Sequence, residues 1–183
     1  ALEALERRRT VRNYDPNYQI PKEQIEKIMT LAQNSPTACD YQGQDYIVVT
    51  DKDKLQKLEK VFLDCVDDGI KKHLVARREK HGIKNVITCD ATTVILIVKN
   101  ERADPHWINI DVGIACMSII IAAQAYGIES MCLGGLGMEN ISDKCEELFG
   151  LKKGSLVMGV ALGKPSSTPT FPQKEIKCKV TYL

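Results

Sequence analysis

Four stretches of this chain carry apolar residues at helical spacing, and the pattern predicts a helix in each. They are 21–32, the stretch after Asp51, 108–126 and 142–149. Pro21 fits a first turn, Asp51 can cap the helix that follows it, and Gly127 suits the position after a helix end. The charged stretch 67–85 is predicted to be a further helix. Apolar residues on nearly every side of 108–126 predict a core helix packed all round.

Five shorter stretches have the patterns of β-strands. A continuous apolar run rich in β-branched residues, 93–98, predicts a buried central strand. Further strands are predicted at 46–50, 130–133 and 156–162. In 176–182 apolar residues alternate with two lysines and a threonine, which predicts an outer strand that docks on a partner subunit.

Length and composition narrow the class of protein. The 183 residues suit one domain spanning 1–183, and 25 Lys and Arg residues against 24 Asp and Glu residues leave a net charge of +1. That balance argues against nucleic-acid and membrane partners. Seven widely spaced cysteines with no Cys-x-x-Cys pair favour free thiols in a reducing compartment and no metal site. The longest apolar stretch is too short to span a bilayer, so we expect a cytoplasmic protein.

Two stretches at opposite ends of the chain are suited to holding one ligand. If the first is extended, Arg8, Thr10 and Arg12 share a face and present two guanidinium groups and a hydroxyl, which suit a phosphate and an electron-rich ring edge. The second contains Gly134 and Gly135, where backbone can approach a flat ligand. Taken singly, the arginine run is more often a solvated surface and the glycine pair a turn.

Four segments in order resemble the FMN-dependent nitroreductase family. Arg8–Arg12 resembles its opening Arg-x-Ser-x-Arg/Lys motif, and Ser35–Gln42 resembles its Ala-Pro-Ser-x-x-Asn-x-Gln loop. Asp111–Gly135 resembles its long central helix and flavin-facing strand, and Val160–Pro165 its closing strand and turn. The resemblance covers nearly the whole chain. It implies an α+β fold, an α-β-α sandwich with a mostly antiparallel central sheet, assembled as a homodimer with FMN at the interface and the C-terminal strand exchanged between subunits.

The resemblance also implies which residues contact FMN. Arg8 and Thr10 would hold the phosphate, Arg12 would lie near the N1 and C2-oxygen edge of the ring, and Gly134 would place its N–H near N5. The loop would come from the other subunit. The full set is Arg8, Arg9, Thr10, Arg12, Pro36, Thr37, Ala38, Cys39, Asp40, Cys132, Leu133, Gly134, Gly135, Lys164 and Lys174.

Three departures from the family pattern affect the pocket. Asp40 stands where an Asn is usual, and Gln44 where many members have an aromatic residue. The contact to the pyrimidine end of the ring has only Lys84 and Asn85 as nearest candidates. Cys39 and Cys132 lie in site segments, but unpaired cysteines usually act as small apolar packing residues, so neither is assigned a nucleophilic role.

The resemblance implies ping-pong redox chemistry. NADH or NADPH would reduce FMN, and a nitroaromatic or quinone would then take the electrons, with the flavin and no catalytic side chain carrying the chemistry. No Gly-x-Gly-x-x-Gly fingerprint marks a separate nicotinamide domain. Two alternatives remain: a specialised flavin-dependent dehalogenase or dehydrogenase of the same fold, and a flavin-binding protein without efficient turnover.

Overall fold

The computed structural model describes residues 2–170 and 175–182, and that part of the chain forms helices on both sides of one sheet. The strands are β1 (Gln44–Val49), β2 (Thr93–Lys99), β3 (Glu129–Leu133) and β4 (Leu156–Gly163). The helices are α1 (Leu2–Arg7), α2 (Lys22–Gln33), α3 (Lys52–Cys65), α4 (Asp68–His81), α5 (Ile108–Gln124) and α6 (Glu139–Phe149).

The four strands form a fully antiparallel sheet in the order β1-β2-β4-β3. Every residue of β2 except Lys99 is buried, as its continuous apolar sequence predicts for a central strand. The mostly antiparallel sheet that the family resemblance implies is confirmed. β3 lies at the edge of the sheet, where the N-terminal segment runs beside it.

Alternation along β2 divides the core into two layers. Val94, Leu96 and Val98 pack with α3 and α6 on one face. Ile95 and Ile97 pack with α2 and α5 on the other. Because successive side chains of a strand point to opposite faces, one apolar strand serves both layers, and the α-β-α sandwich is confirmed.

Helix ends follow the local chemistry of the sequence. The Asp51 carboxylate accepts a hydrogen bond from the Lys54 N–H at 3.0 Å, so the predicted cap of α3 is confirmed. Gly127 has a φ of +65°, a left-handed conformation that favours glycine after the end of α5. β1 begins two residues before its predicted start, because Gln44 pairs with Lys99 and extends the ladder.

One face of α5 is open, which corrects the prediction of a helix packed all round. Ile110 is 55% exposed and Ile114 is 37% exposed. Ile114, Met117 and Ile121 line a groove of about 960 Å³ that α1 borders. A helix with apolar residues on every side is therefore not necessarily buried on every side by its own chain.

The predicted C-terminal strand is absent from the single chain. Residues 175–182 form no strand, and Ile176 and Tyr182 are 77% and 92% exposed. A strand needs a neighbour for its backbone hydrogen bonds, and the sheet edges of the same chain do not provide one here. Lys174 lies outside the described residues. None of the described helices has both the length and the apolar content needed to cross a membrane.

Candidate functional site

The N-terminal arginine segment is extended and lies beside β3. Thr10 pairs with Ser130 in a parallel bridge, and the Val11 N–H donates to the Ser130 carbonyl at 3.2 Å. Further along, Tyr14 pairs with Pro165 just after β4. The extended conformation expected around Thr10 is therefore confirmed, and the two stretches from opposite ends of the chain are neighbours.

Alternation and electrostatics place Thr10 and Arg8 on the same side of the sheet as Cys132. Val11 packs into the α3 and α6 layer. Thr10 precedes Val11 in the bridged segment and so faces the α5 side, and the positive charge of Arg8 acts on Cys132 on that side. Cys132 faces that side as well, because its Sγ lies 3.6 Å from the Sγ of Cys116 on α5. The structure thus groups Arg8, the Thr10 hydroxyl and the end of β3. The charge of Arg12 acts instead on Tyr14 and Cys89, which belong to the α3 and α6 layer.

The arginines of this segment differ in their surroundings. Arg9 donates to the carbonyls of Glu6 at 2.9 Å and Arg8 at 2.8 Å, so its guanidinium turns back toward α1. Arg8 is half-buried and Arg12 is exposed. Neither Arg8 nor Arg12 forms an ion pair with a carboxylate among the described residues.

The glycines after β3 serve different purposes. A Cβ on Gly137 would lie 2.0 Å from the Val157 carbonyl oxygen, and one on Gly135 would lie 3.1 Å from the Phe62 ring, so packing explains both. A Cβ on Gly134 would meet nothing within 4 Å, and its φ is not left-handed. Neither packing nor backbone conformation therefore requires glycine at 134, which leaves close approach of a ligand as a reason.

The predicted loop is fixed to α5. The Ala38 N–H donates to the Asp111 carboxylate at 3.1 Å, and the hydroxyls of Ser35 and Ser118 are hydrogen-bonded at 2.7 Å. Cys39 and Asp40 have φ values of +48° and +54°, which side chains rarely adopt and which cost free energy. Among the described residues, the loop makes no hydrogen bond to β3 or the glycine turn.

Asp111 is a site residue that the sequence reasoning missed. Its side chain is only 4% exposed although it is a carboxylate in an apolar helix. It lies in the first turn of α5, where the helix dipole favours an acidic group, and it holds the loop. An acidic residue within an otherwise apolar helical stretch was the available signal.

Other candidates are engaged elsewhere. The Asn85 amide donates to the Leu55 carbonyl at 3.0 Å and accepts from the N–H groups of Ile87 and Thr88. Its hydrogen bonds are thus used inside the protein, which corrects its candidacy as a ring contact. Lys164 places its Nζ 5.7 Å from the centre of the Tyr18 ring, at the start of β3 and away from the glycine turn.

Gln44 lies in a polar environment, as its replacement of an aromatic residue suggested. Its side chain is buried, its Nε2 is 3.4 Å from the Tyr46 hydroxyl, and its Oε1 has no partner. It lines a cavity of about 470 Å³ together with Thr37 and Arg102. Asp40 accepts a hydrogen bond from Gln42 at 2.9 Å and is exposed, so its carboxylate stabilises the loop.

Electrostatics distinguish the two thiols beside the arginines. A hydrogen bond from Cys116, aided by the positive charge of Arg8, lowers the pKa of the Cys132 thiol to about 7. The same hydrogen bond, together with burial, raises the pKa of Cys116. Arg8 therefore acts on the group that lies next to the glycine turn, which brings the arginine and glycine stretches into one electrostatic environment.

Known proteins share this architecture across the full length of the chain. A nitroreductase with bound FMN from Desulfitobacterium hafniense superposes with a TM-score of 0.81 at 23% identity, covering 100% of this chain and 97% of that one. The FMN-dependent nitroreductase NfnB from Mycobacterium smegmatis, in complex with NADPH, superposes with a TM-score of 0.74 at 18% identity, covering 99% and 97%. These likenesses establish the fold.

Sequence comparison extends the likeness. The CLA biosynthesis enone reductase of Lactiplantibacillus plantarum is 25% identical over 201 residues, which cover 96% of this chain and 91% of that protein. The model of the Nitroreductase family matches residues 5–164, most of the chain. On that match, the chain belongs to the nitroreductase family.

Proposed function

We propose that this chain is a cytoplasmic FMN-dependent oxidoreductase that transfers electrons from NADH or NADPH to nitroaromatic or quinone acceptors by a ping-pong mechanism. The observation that carries the proposal is the pairing of Thr10 with Ser130. It sets the arginine segment beside β3, which ends at Leu133 just before Gly134, and Arg8 acts on Cys132 of that strand. Family membership and the FMN bound in a structural relative support the same cofactor.

The residues present fit a flavin nucleotide. Arg8 and Thr10 would bind the phosphate by charge-assisted and neutral hydrogen bonds. Arg12 would contact the ring edge, as the family resemblance implies. At Gly134 the open space above the backbone admits a flat ring. FMN, when bound, supplies the hydride-transfer chemistry that no side chain here supplies.

The side chains of the protein would bind the cofactor and orient it. The Arg12 cation stabilises negative charge at the ring edge, which favours the reduced cofactor. The exposure of Cys132 and Gly134 leaves that side of the site open to a second, flat substrate. An open site that admits donor and acceptor in turn is what a ping-pong mechanism needs.

A homodimer is part of the proposal. The exposed face of α5 and its groove of about 960 Å³ form an apolar surface of the kind that marks protein interfaces. The loop that Asp111 fixes on α5 makes no hydrogen bond to the glycine turn of its own chain among the described residues. A second copy packed on α5 would bring that loop, Pro36 to Asp40, to the partner's flavin. The exposed residues 175–182 would pair as a strand on the same partner.

Steady-state kinetics test the proposal. NADH and NADPH oxidation is measured with added FMN, with and without a nitrobenzoate or a naphthoquinone as acceptor. We expect acceptor-dependent oxidation and parallel lines in double-reciprocal plots. Flavin-bound protein that oxidises neither nucleotide with any acceptor would instead establish the flavin-binding alternative.

A second candidate function is reduction of the carbon–carbon double bond of an enone. The enone reductase that aligns over 96% of this chain favours it. The same assay with an α,β-unsaturated ketone, compared by kcat/KM with the quinone, separates the two. A halogenated phenol in the same assay, with halide release as the readout, tests the dehalogenase alternative.

A further inference from the structure

Two thiols meet where α5 packs on β3. The Sγ atoms of Cys116 and Cys132 are 3.6 Å apart, with Cys132 exposed and Cys116 buried. Among the described residues, no other two thiols are hydrogen-bonded to each other. The sequence favours a packing role for Cys132, but its contact with a second thiol changes that interpretation.

We propose that Cys132 and Cys116 form a reversible disulfide when the protein meets a peroxide, with Cys132 as the attacking thiol and Cys116 as the resolving thiol. Exposure assigns the order. Cys132 can be reached from solvent, whereas Cys116 is only 5% exposed and meets an oxidised sulfur solely through its contact with Cys132.

The surroundings of Cys132 suit the attacking role. The thiolate is the form of cysteine that reacts with peroxides. The Sγ atoms of Cys116 and Cys132 are within hydrogen-bond distance. The hydrogen bond with Cys116 and the positive charge of Arg8 both lower the pKa of the Cys132 thiol. Cys132 therefore reaches its thiolate form at a lower pH than an ordinary thiol does.

The chemistry balances in two steps. The Cys132 thiolate attacks one oxygen of hydrogen peroxide; an S–O bond forms, the O–O bond breaks and hydroxide leaves, so sulfur is oxidised and peroxide is reduced. The Cys116 sulfur then attacks the Cys132 sulfur; an S–S bond forms, the S–O bond breaks, and the Cys116 proton leaves with the hydroxyl as water. Two thiols and one peroxide give one disulfide and two waters.

Bond formation needs only a small movement. The sulfurs must close from 3.6 Å to a bond length of about 2.05 Å. β3 is an edge strand, bonded to β4 on one side and bridged to Thr10 on the other, so it is less constrained than the central strands. Reaction of a reduced flavin with dioxygen is one source of hydrogen peroxide, and that source rests on the proposed function.

Peptide mass mapping tests the pair. The full-length protein, as purified and after extraction of bound flavin, is treated with hydrogen peroxide at neutral pH. We expect a linked peptide pair containing Cys116 and Cys132 that dithiothreitol separates. In Cys116→Ser, a dimedone adduct should accumulate on Cys132, and in Cys132→Ser neither product should form. Cys39→Ser, which removes an exposed thiol outside the pair, is the matched control and should retain the disulfide.

The outcomes separate this inference from the flavin site. Wild-type protein that keeps both thiols with and without flavin, or that holds a persistent Cys132 sulfenic acid beside an intact Cys116, overturns the disulfide. A disulfide that forms only after flavin removal supports the pair and places Cys132 under the flavin. Equal formation at saturating FMN supports the pair but contradicts that placement. Because substitutions in the core can disturb folding, the peptide map of the wild-type protein decides whether the disulfide forms. Melting curves check that the variants are folded.

Discussion

Thr10 lies opposite Ser130 in a parallel bridge, which joins the N-terminal arginine segment to the strand that ends at the glycine turn. Neither segment alone has the features of a nucleotide site. Together they bring the Arg8 cation, the Thr10 hydroxyl and the open backbone at Gly134 beside one another. Substitutions that disturb one segment at a time therefore show what each segment contributes to FMN binding.

Substitution of Gly134 should separate ligand binding from folding. Gly134→Val places its side chain in open space, so the free energy of unfolding should change by no more than about 1 kcal/mol, while FMN retention is lost. Absorbance of bound flavin and thermal melting measure the two effects. Gly137→Ala is the contrasting variant, because its Cβ would meet the Val157 carbonyl and lower stability directly. A Gly134→Val protein with full FMN content would contradict the close approach.

Alanine substitutions of the two arginines should impair the protein in different ways. Arg8→Ala removes a charge-assisted contact of about 1.5–3 kcal/mol and should weaken FMN binding roughly ten- to hundredfold, with turnover recovered at saturating FMN.

Arg12→Ala should also lower the flavin reduction potential, by about 30 mV for each 1.4 kcal/mol of lost stabilisation of the reduced form, and added FMN should not restore turnover. Redox titration and kinetics on both variants decide between the roles. Equal behaviour, or full rescue of Arg12→Ala by FMN, would show that the roles are assigned wrongly.

The open face of α5 should be a dimer interface. Ile110→Glu introduces a charge into a residue that is 55% exposed in the single chain, and it should shift sedimentation toward monomer and reduce FMN retention. Ile70→Glu on α4, where Ile70 is 42% exposed, is the matched control and should change neither. Deletion of 175–183 should weaken dimer and flavin binding together. A stable monomer that keeps its flavin is incompatible with the proposed interface.

The sequence predicted the helices and strands better than it predicted the surfaces on which they pack. The apolar run of β2 and the capping carboxylate of Asp51 are local signals, and both are confirmed. The open face of α5 was not predicted, because an apolar pattern specifies burial without saying which molecule provides the cover. The strand at 176–182 was predicted on a partner subunit, and 175–182 form no strand in the single chain.

Only those features of the site that depend on neighbouring residues in the sequence could be predicted. An extended conformation around Thr10 was a condition of the sequence argument, and the bridge to Ser130 meets it, although Arg8 still continues the hydrogen bonding of α1. The differences among the glycines could not be predicted, because only the positions of Phe62 and Val157 show that Gly135 and Gly137 are required by packing. The anchoring role of Asp111 likewise depends on a loop distant in sequence.

Thiol reactivity should depend on pH in a predictable direction. The pKa of Cys132 is lowered to about 7 by the hydrogen bond from Cys116 and by Arg8, so iodoacetamide alkylation should rise with a midpoint near pH 7. Cys116→Ala removes the hydrogen bond and should move the midpoint upward, toward the ordinary thiol value of about 8.5. Peptide-resolved alkylation rates between pH 6 and about 9 provide the measurement. An identical midpoint in both proteins would show that Cys116 does not act on Cys132.

Direct titration of flavin-free protein with FMN, followed by quenching of flavin fluorescence, tests the central claim. We expect saturable, stoichiometric binding by the wild-type chain and a yellow purified protein. We also expect weakened binding by Arg8→Ala and its loss in Gly134→Val. Wild-type protein that is colourless and takes up no added FMN would contradict the account.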